Sequence, residues 1–299
     1  MPAGRYAPSP TGLLHLGNLR TALVAWLAAR RDGSAFRLRS DDLDPAARPE
    51  FEAEQLADLA ALGLEWDGPV VRQSQRRPRY EEAIATLVEA GATYPCYCTR
   101  SEIREATRAP HGEAPDGAYP GTCRDLTDAE RAGRERDGRP PALRLRADGV
   151  TQGVVDHNLG RTIGVVDDFV LRRNDGLPAY NLTTVVDDAA MDVEEVVRGD
   201  DLWSSTPRQA YLATMLGLPV PTYLHVPLVL GPDGARLAKR HGAVTLADRL
   251  AAGESPDDVR ARLAASLGLV GAGDDASPGA LLTRFDPGRL PREPWTFDG

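Results

Sequence analysis

The stretch RYAPSPTGLLHLGN, Arg5 through Asn18, decides how this chain is read. Residues 4–7 run at once into Pro8, Pro10 and Gly12, the pattern of a strand entering a turn. From Leu19 the apolar residues Leu19, Ala22, Leu23, Trp26 and Leu27 recur at helical spacing, and Asp32-Gly33 closes the run. Phe36 and Leu38 alternate as in a second strand that ends in Asp41, Asp42 and Asp44, and a further helix is expected over residues 49–62. Strand, helix, strand, helix implies an α/β fold with a parallel sheet and crossover helices. Ligands of such sheets lie beyond the carboxyl ends of the strands.

Further along, Tyr80, Ala83, Ile84, Leu87 and Val88 mark one face of a helix, and the Gly-, Pro- and Arg-rich segment from Tyr94 to about Arg146 reads as an insertion. Asn174-Asp175-Gly176 predicts a hairpin. The α/β pattern then resumes with a strand over residues 193–197. Ser205-Thr206-Pro207 predicts a helix start with a hydroxyl cap, and YLHVPLVL at 223–230 a single buried strand. GPDG turns the chain into RLAKRHG, Ser255-Pro256 opens another helix, and the tail beyond is Pro-rich and weakly patterned.

With 299 residues, 42% of them hydrophobic, the chain can bury one large domain and a smaller companion. It has no run of eighteen apolar residues and no secretory signal at MPAGRYAPSPTG, so a cytoplasmic protein with no membrane partner is expected. A net charge of −9 opposes nonspecific RNA binding, and any basic face must be local; Arg72, Arg76, Arg77, Arg79 and the arginines from Arg100 to Arg146 are its candidates. Cys96, Cys98 and Cys123 are an odd set in one short segment, which favours a metal over a disulfide framework. Three thiolates leave tetrahedral zinc one donor short. At the helix entrance, His15, Gly17 and Asn18 suit a phosphate. The amides and dipole of the helix attract an anion, His15 can donate to a phosphate oxygen, and Gly17 lets a flat base lie close.

PSPTGLLHLGN resembles the "HIGH" signature of class I aminoacyl-tRNA synthetases in its glutamyl form, and ARLAKRHG resembles that family's "KMSKS" loop. SDDLD, DGLPAYNL, VVDD and VVRGDDL follow in the family's order, so the resemblance runs from Arg5 to about Leu246. It implies a Rossmann-like catalytic domain in two halves, residues 1–93 and 161–250, around an inserted zinc-bearing acceptor-binding-type subdomain at 94–160, with a short helical tail at 251–299. Only sixty residues follow Lys239, too few for an anticodon-binding domain, which is expected to be absent.

The resemblance implies that His15, Gly17 and Lys239 are catalytic and that Asn18 and Arg236 complete a site for ATP with magnesium. L-glutamate is expected at Arg5, Tyr6, Ala7, Pro8, Ser9, Asp41, Tyr180 and Arg198. The chemistry fits: Arg5 and Arg198 can fork onto carboxylate oxygens, and Asp41 can pair with an ammonium. The spacing C-x-C followed by Y-x-x-x-C is similar to that of a truncated branch of the family. By that likeness Cys96, Cys98, Tyr119 and Cys123 hold one structural zinc, with His111 as the alternative fourth donor.

Members of that branch esterify glutamate to queuosine in the anticodon of tRNA(Asp), and a monomer acting on that tRNA is expected. The alternatives are a truncated enzyme charging the 3′ end of tRNA(Glu), and a non-catalytic paralogue binding RNA or a metabolite. Three departures feed the last reading. HLGN lacks the second histidine, RLAKR lacks the loop's first lysine and its serine, and Asp41 is one methylene shorter than the family's glutamate. His15, Lys239 and Arg198 all remain, so activity is expected, with weakened ATP binding.

Overall fold

Strand β1, Ala3–Tyr6, is buried along its whole length, as a central strand covered on both faces must be. The computed structural model describes residues 1–106, 118–238, 241–242 and 244–299. Helix α1, Leu16–Arg31, leads from β1 to the parallel strand β2, Ala35–Ser40. It starts three residues ahead of the expected apolar run because His15 caps it. His15 Nδ1 accepts from the Asn18 amide at 3.2 Å, and Asn18 Oδ1 accepts from the His15 amide at 3.2 Å. At its other end Gly33 takes φ +65°, a conformation that favours glycine.

Helix α2, Pro49–Ala61, then leads to β3, Val71–Arg72, and α3, Arg77–Glu89. Tyr80, Ile84 and Leu87 of α3 are buried, whereas Val88, expected on the same face, is 50% exposed. There follow β4 (Thr93–Cys96), α4 (Arg100–Ala106), α5 (Asp128–Arg136), β5 (Ala142–Leu145), β6 (Thr151–Asp156), β7 (Gly160–Val165) and β8 (Val170–Arg172). Helix α6, Tyr180–Ala190, precedes β9 (Val193–Gly199), α7 (Thr206–Met215), β10 (Thr222–Val226) and β11 (Val229–Leu230). The chain ends in α8 (Leu246–Ala251), α9 (Pro256–Ser266), α10 (Pro278–Arg284) and β12 (Trp295–Thr296).

The large sheet runs β3-β2-β1-β9-β10-β6-β7, parallel throughout except for the β6–β7 hairpin. Its order switches direction between β1 and β9, so a crevice opens at their carboxyl ends. A separate antiparallel sheet, β4-β5-β8, supports a small cluster of Tyr94, Cys96, Tyr97, Tyr119 and Cys123.

Several expectations are displaced by tertiary pairing. Strand β6, which falls within the insertion expected over 94–160, joins the large sheet beside β10 together with β7, while β8, beyond residue 160, belongs to the small sheet. YLHVPLVL is two strands, because Pro227 has no N–H to continue the ladder. Ser205 makes no side-chain cap, since a 3-10 turn over Asp200–Ser205 feeds directly into α7. The tail is no appendage: Val259, Leu263, Leu281, Phe285 and Phe297 pack into the core shared with α1, and β12 pairs with β11. Much of the proposed basic face is neutralised locally, with Arg72 on Glu52, Arg76 on Asp187, Arg124 on Asp168 and Arg139 on Glu102. No helix among the described residues is long and apolar enough to cross a membrane.

Candidate active site

At the β1/β9 crevice lies a cavity of about 490 Å³. Arg5, Tyr6, Ala7, Pro8, Ser9, Asp41, Tyr180 and Arg198 all line it, and so do His15, Gly17, Asn18 and Arg236. Lys239 and His111 lie outside the described residues. The turn that carries Ser9 is pinned from behind: Gln55, itself buried, donates Nε2 to the carbonyls of Ser9 at 3.1 Å and Gly12 at 2.7 Å.

Beneath the cavity is a buried ionic network in which the two aspartates of VVDD take roles that the sequence left unassigned. Asp188 accepts Arg5 Nε at 3.2 Å and Arg39 Nη1 at 2.5 Å; Arg39 Nε reaches Asp41 at 2.6 Å. Asp187, fully buried, accepts Arg76 Nε at 2.5 Å, Tyr80 Oη at 2.8 Å and Gln73 Nε2 at 3.0 Å. Burial opposes charge on Asp188, yet Arg5 and Arg39 hold its carboxyl below the usual range, while at Asp41 burial prevails and pushes the carboxyl up. Arg5 also donates Nη1 to the Val197 carbonyl at 2.9 Å, which brings it beside Arg198 on the neighbouring strand.

Arg198 is 4% exposed and differs from the others in its company. Nε donates to His225 Nε2 at 3.2 Å, Nη1 to Gln209 Oε1 at 2.7 Å and to Tyr180 Oη at 3.5 Å, and Nη2 to Thr206 Oγ1 at 2.7 Å. All four partners are neutral or neutral-capable, and among the described residues no carboxylate lies within ion-pair distance of it. A buried cation without a counter-ion is costly, and an anion held in the cavity would offset that cost.

At the helix entrance, the cap fixes the chemistry of His15. Because Nδ1 accepts from Asn18, the proton of the neutral ring sits on Nε2, leaving that nitrogen a donor. Burial and then the Arg236 cation lower the pKa of His15 to about 4, so the ring is neutral at physiological pH. A Cβ on Gly17 would fall 3.0 Å from His15 Cε1 and Nδ1 and 3.3 Å from Val229 Cβ, so a larger residue would press on the capping ring itself. Arg236, in the RLAKRHG segment, pairs with Asp201 at 2.6 Å on the cavity wall.

Since the unfolded chain protonates His15 near 6.5 and the folded chain only near 4, this group's contribution to stability falls as pH drops between those values. His15→Asn keeps a capping side chain and removes the titration. Its melting temperature is expected to fall by about 2–5 °C less than that of the parent chain over that acid window, measured by thermal melts at a series of pH values; parallel curves would refute the assignment.

Away from the cavity, the sulfurs of Cys96, Cys98 and Cys123 all lie within 4.8 Å of one another. Tyr119 Oη sits 3.3 Å from Cys96 Sγ and 3.5 Å from Cys98 Sγ, and Cys98 Sγ is 3.5 Å from Cys123 Sγ. Tetrahedral zinc at about 2.3 Å from each sulfur needs sulfur–sulfur edges of about 3.8 Å. The cluster therefore fits a metal ion in both donor type and spacing. Arg144 stacks 3.7 Å over the Tyr119 ring and the Cys123 amide donates to Tyr119 Oη at 2.8 Å, which holds the phenol in place.

Residues 3–281 match the family described as tRNA synthetases class I (E and Q), catalytic domain, and the chain belongs to that family. It is thus a ligase of the class I aminoacyl-tRNA synthetase type, which works with ATP and magnesium. More particularly, it is similar to two proteins named glutamyl-Q tRNA(Asp) synthetase. That of Nocardia farcinica is 67% identical over 98% of this chain and 92% of its own length. That of Symbiobacterium thermophilum is 50% identical over 98% of this chain and 95% of its own. Among solved structures, a glutamate tRNA ligase from Elizabethkingia meningosepticum in complex with its amino acid superposes with a TM-score of 0.82 at 26% identity, covering all of this chain and 67% of that one.

Proposed function

We propose that this chain activates L-glutamate with ATP to glutamyl-adenylate and transfers the glutamyl group to queuosine in the anticodon of tRNA(Asp). The observation that carries the first half is Arg198, buried against neutral groups and open to the cavity beside Arg5. Together they offer N–H donors to the side-chain carboxylate of glutamate, and Asp41 offers a carboxylate to its ammonium. The α-carboxylate oxygen then attacks the α-phosphorus in line and pyrophosphate leaves. In this reading His15 Nε2–H, the amide end of α1 and Arg236 across the cavity stabilise charge growing on the phosphate oxygens, and Lys239 is assigned to the same task. Transfer follows when an acceptor hydroxyl attacks the activated carbonyl and AMP leaves. The acceptor is assigned on the two relatives similar over almost their whole length, whose names specify it.

Glutamate-dependent ATP–pyrophosphate exchange in the absence of RNA tests the first step, and no exchange at saturating glutamate would refute it. Transfer of labelled glutamate to tRNA(Asp) with and without queuosine tests the second. Charging of tRNA(Glu) alone would replace this reading with that of a truncated glutamyl-tRNA synthetase.

Cys96, Cys98, Cys123 and Tyr119 are proposed to hold one structural zinc, stapling the small sheet to its loop. Cys123→Ser is expected to lower bound zinc from about one per chain to below about 0.2, by elemental analysis of the purified protein. Full retention of zinc in this variant would exclude Cys123 as a ligand.

A further inference from the structure

Behind Arg198 runs a line of buried polar groups that do not touch the cavity. Asp156, the last residue of β6, and His225, on β10, are each 1% exposed. Asp156 Oδ1 accepts from the amides of Asn158 and Leu159, both at 2.8 Å, while Oδ2 accepts from His225 Nδ1 at 2.6 Å and from the His225 amide at 3.1 Å. On its far side His225 presents Nε2 to Arg198 Nε at 3.2 Å and to Thr206 Oγ1 at 3.2 Å. A guanidinium has only donors and a carboxylate only acceptors. One arrangement satisfies every contact: the proton on Nδ1, facing Asp156, and a lone pair on Nε2, facing Arg198. The opposite tautomer sets N–H against N–H at Arg198 and lone pair against lone pair at Asp156. Burial also lowers the pKa of His225, in keeping with a neutral ring.

We propose that Asp156 and His225 are positioning residues for substrate recognition. Asp156 selects the Nδ1–H tautomer of His225, and the Nε2 lone pair, with Thr206 and Gln209, fixes the plane of the Arg198 guanidinium so that its remaining N–H faces the cavity. The inference rests on the reading that Arg198 receives a substrate carboxylate. It assigns a role in the amino-acid site to β6, a strand that pairs in parallel with β10 and whose residue Asp156 meets the site, among the described residues, through His225.

The test turns on the tautomer. In Asp156→Asn the amide oxygen is expected to keep the Asn158 and Leu159 amides, which turns the NH2 group to His225 Nδ1 and the His225 amide. In that orientation the ring accepts on Nδ1 and carries its proton on Nε2, against Arg198. The glutamate KM in pyrophosphate exchange is expected to rise about tenfold to a hundredfold, with the ATP KM and the kcat at saturating glutamate changed by less than about threefold. His225→Gln places an acceptor oxygen near the position of Nε2 and cannot tautomerise. In that background, adding Asp156→Asn is expected to change the glutamate KM by less than about threefold.

An unchanged KM in Asp156→Asn, or an equal rise in both backgrounds, would overturn the proposal. If Arg198→Ala itself leaves the glutamate KM unchanged, the reading of the site has failed instead. Should Asp156→Asn not fold, nitrogen-15 NMR of the five histidines in the parent chain still decides, because a His225 ring protonated on Nε2 contradicts the tautomer directly.

Discussion

Arg198→Ala is expected to raise the glutamate KM for pyrophosphate exchange by on the order of 10³-fold, the cost of truncating one partner of a desolvated, hydrogen-bonded charge pair. The ATP KM should change little, because ATP is assigned to the helix entrance and loop rather than to β9. Stability should move differently. The ligand-free chain buries this cation against His225, Gln209, Thr206 and Tyr180 with no counter-ion among the described residues, so the truncation removes a desolvated charge along with its hydrogen bonds. The melting temperature of the ligand-free variant is therefore expected within about 3 °C of the parent, while the stabilisation that glutamate confers on the parent disappears. Calorimetric titration with glutamate and melts with and without it check both halves. Glutamate binding retained at the parent affinity would remove Arg198 from the site.

Asp188→Asn should act through the fold. Asp188 bridges Arg5 and Arg39, each nearly inaccessible to water, and its loss strands the Arg5 guanidinium in the interior and leaves Arg39 to its pair with Asp41. Breaking a buried pair by removing one member costs about 3–5 kcal/mol, a large part of a domain's net stability. The neutral amide fills the same space, so the loss is of charge and not of volume. Since the folded-state pKa of Asp188 is depressed, its contribution is present above the ordinary carboxylate range and is lost as pH falls through the lower, folded value. The gap in urea midpoint between parent and variant should accordingly be wide at neutral pH and close in acid. An equal gap at both extremes would mean that ionisation of Asp188 contributes nothing.

How far the sequence could be read depended on the range of each interaction. The turn at residues 8–12 and helix α1 were legible because proline, glycine and the 3.6-residue period act locally, and twelve of the expected site residues line a single cavity. The supports behind them were not. Asp188 meets Arg5 across 183 positions, Asp187 meets Arg76 across 111, and Asp156 meets His225 across 69. A buried aspartate has no periodicity to announce it. VVDD was visible as a motif, but nothing in its spacing says that one carboxylate serves Arg5 and Arg39 while the next serves Arg76 and Tyr80. The inclusion of β6 in the insertion failed for a related reason: a local pattern can suggest a strand and still leaves its partner open.

By itself the sequence determined the alternating α/β order, the helix behind the phosphate-suited turn, and the chemical types gathered for a charged small substrate and for a metal. Only the tertiary structure decided which of the buried arginines lining the cavity has no carboxylate partner among the described residues. Arg5 and Arg198 read alike as arginines for a carboxylate, yet Arg5, together with Arg39, meets Asp188 and Arg198 meets His225, Gln209 and Thr206. The reason is that desolvation and pairing depend on which groups are brought within about 3 Å in a low-dielectric interior. That neighbourhood is set by sheet order and not by distance along the chain.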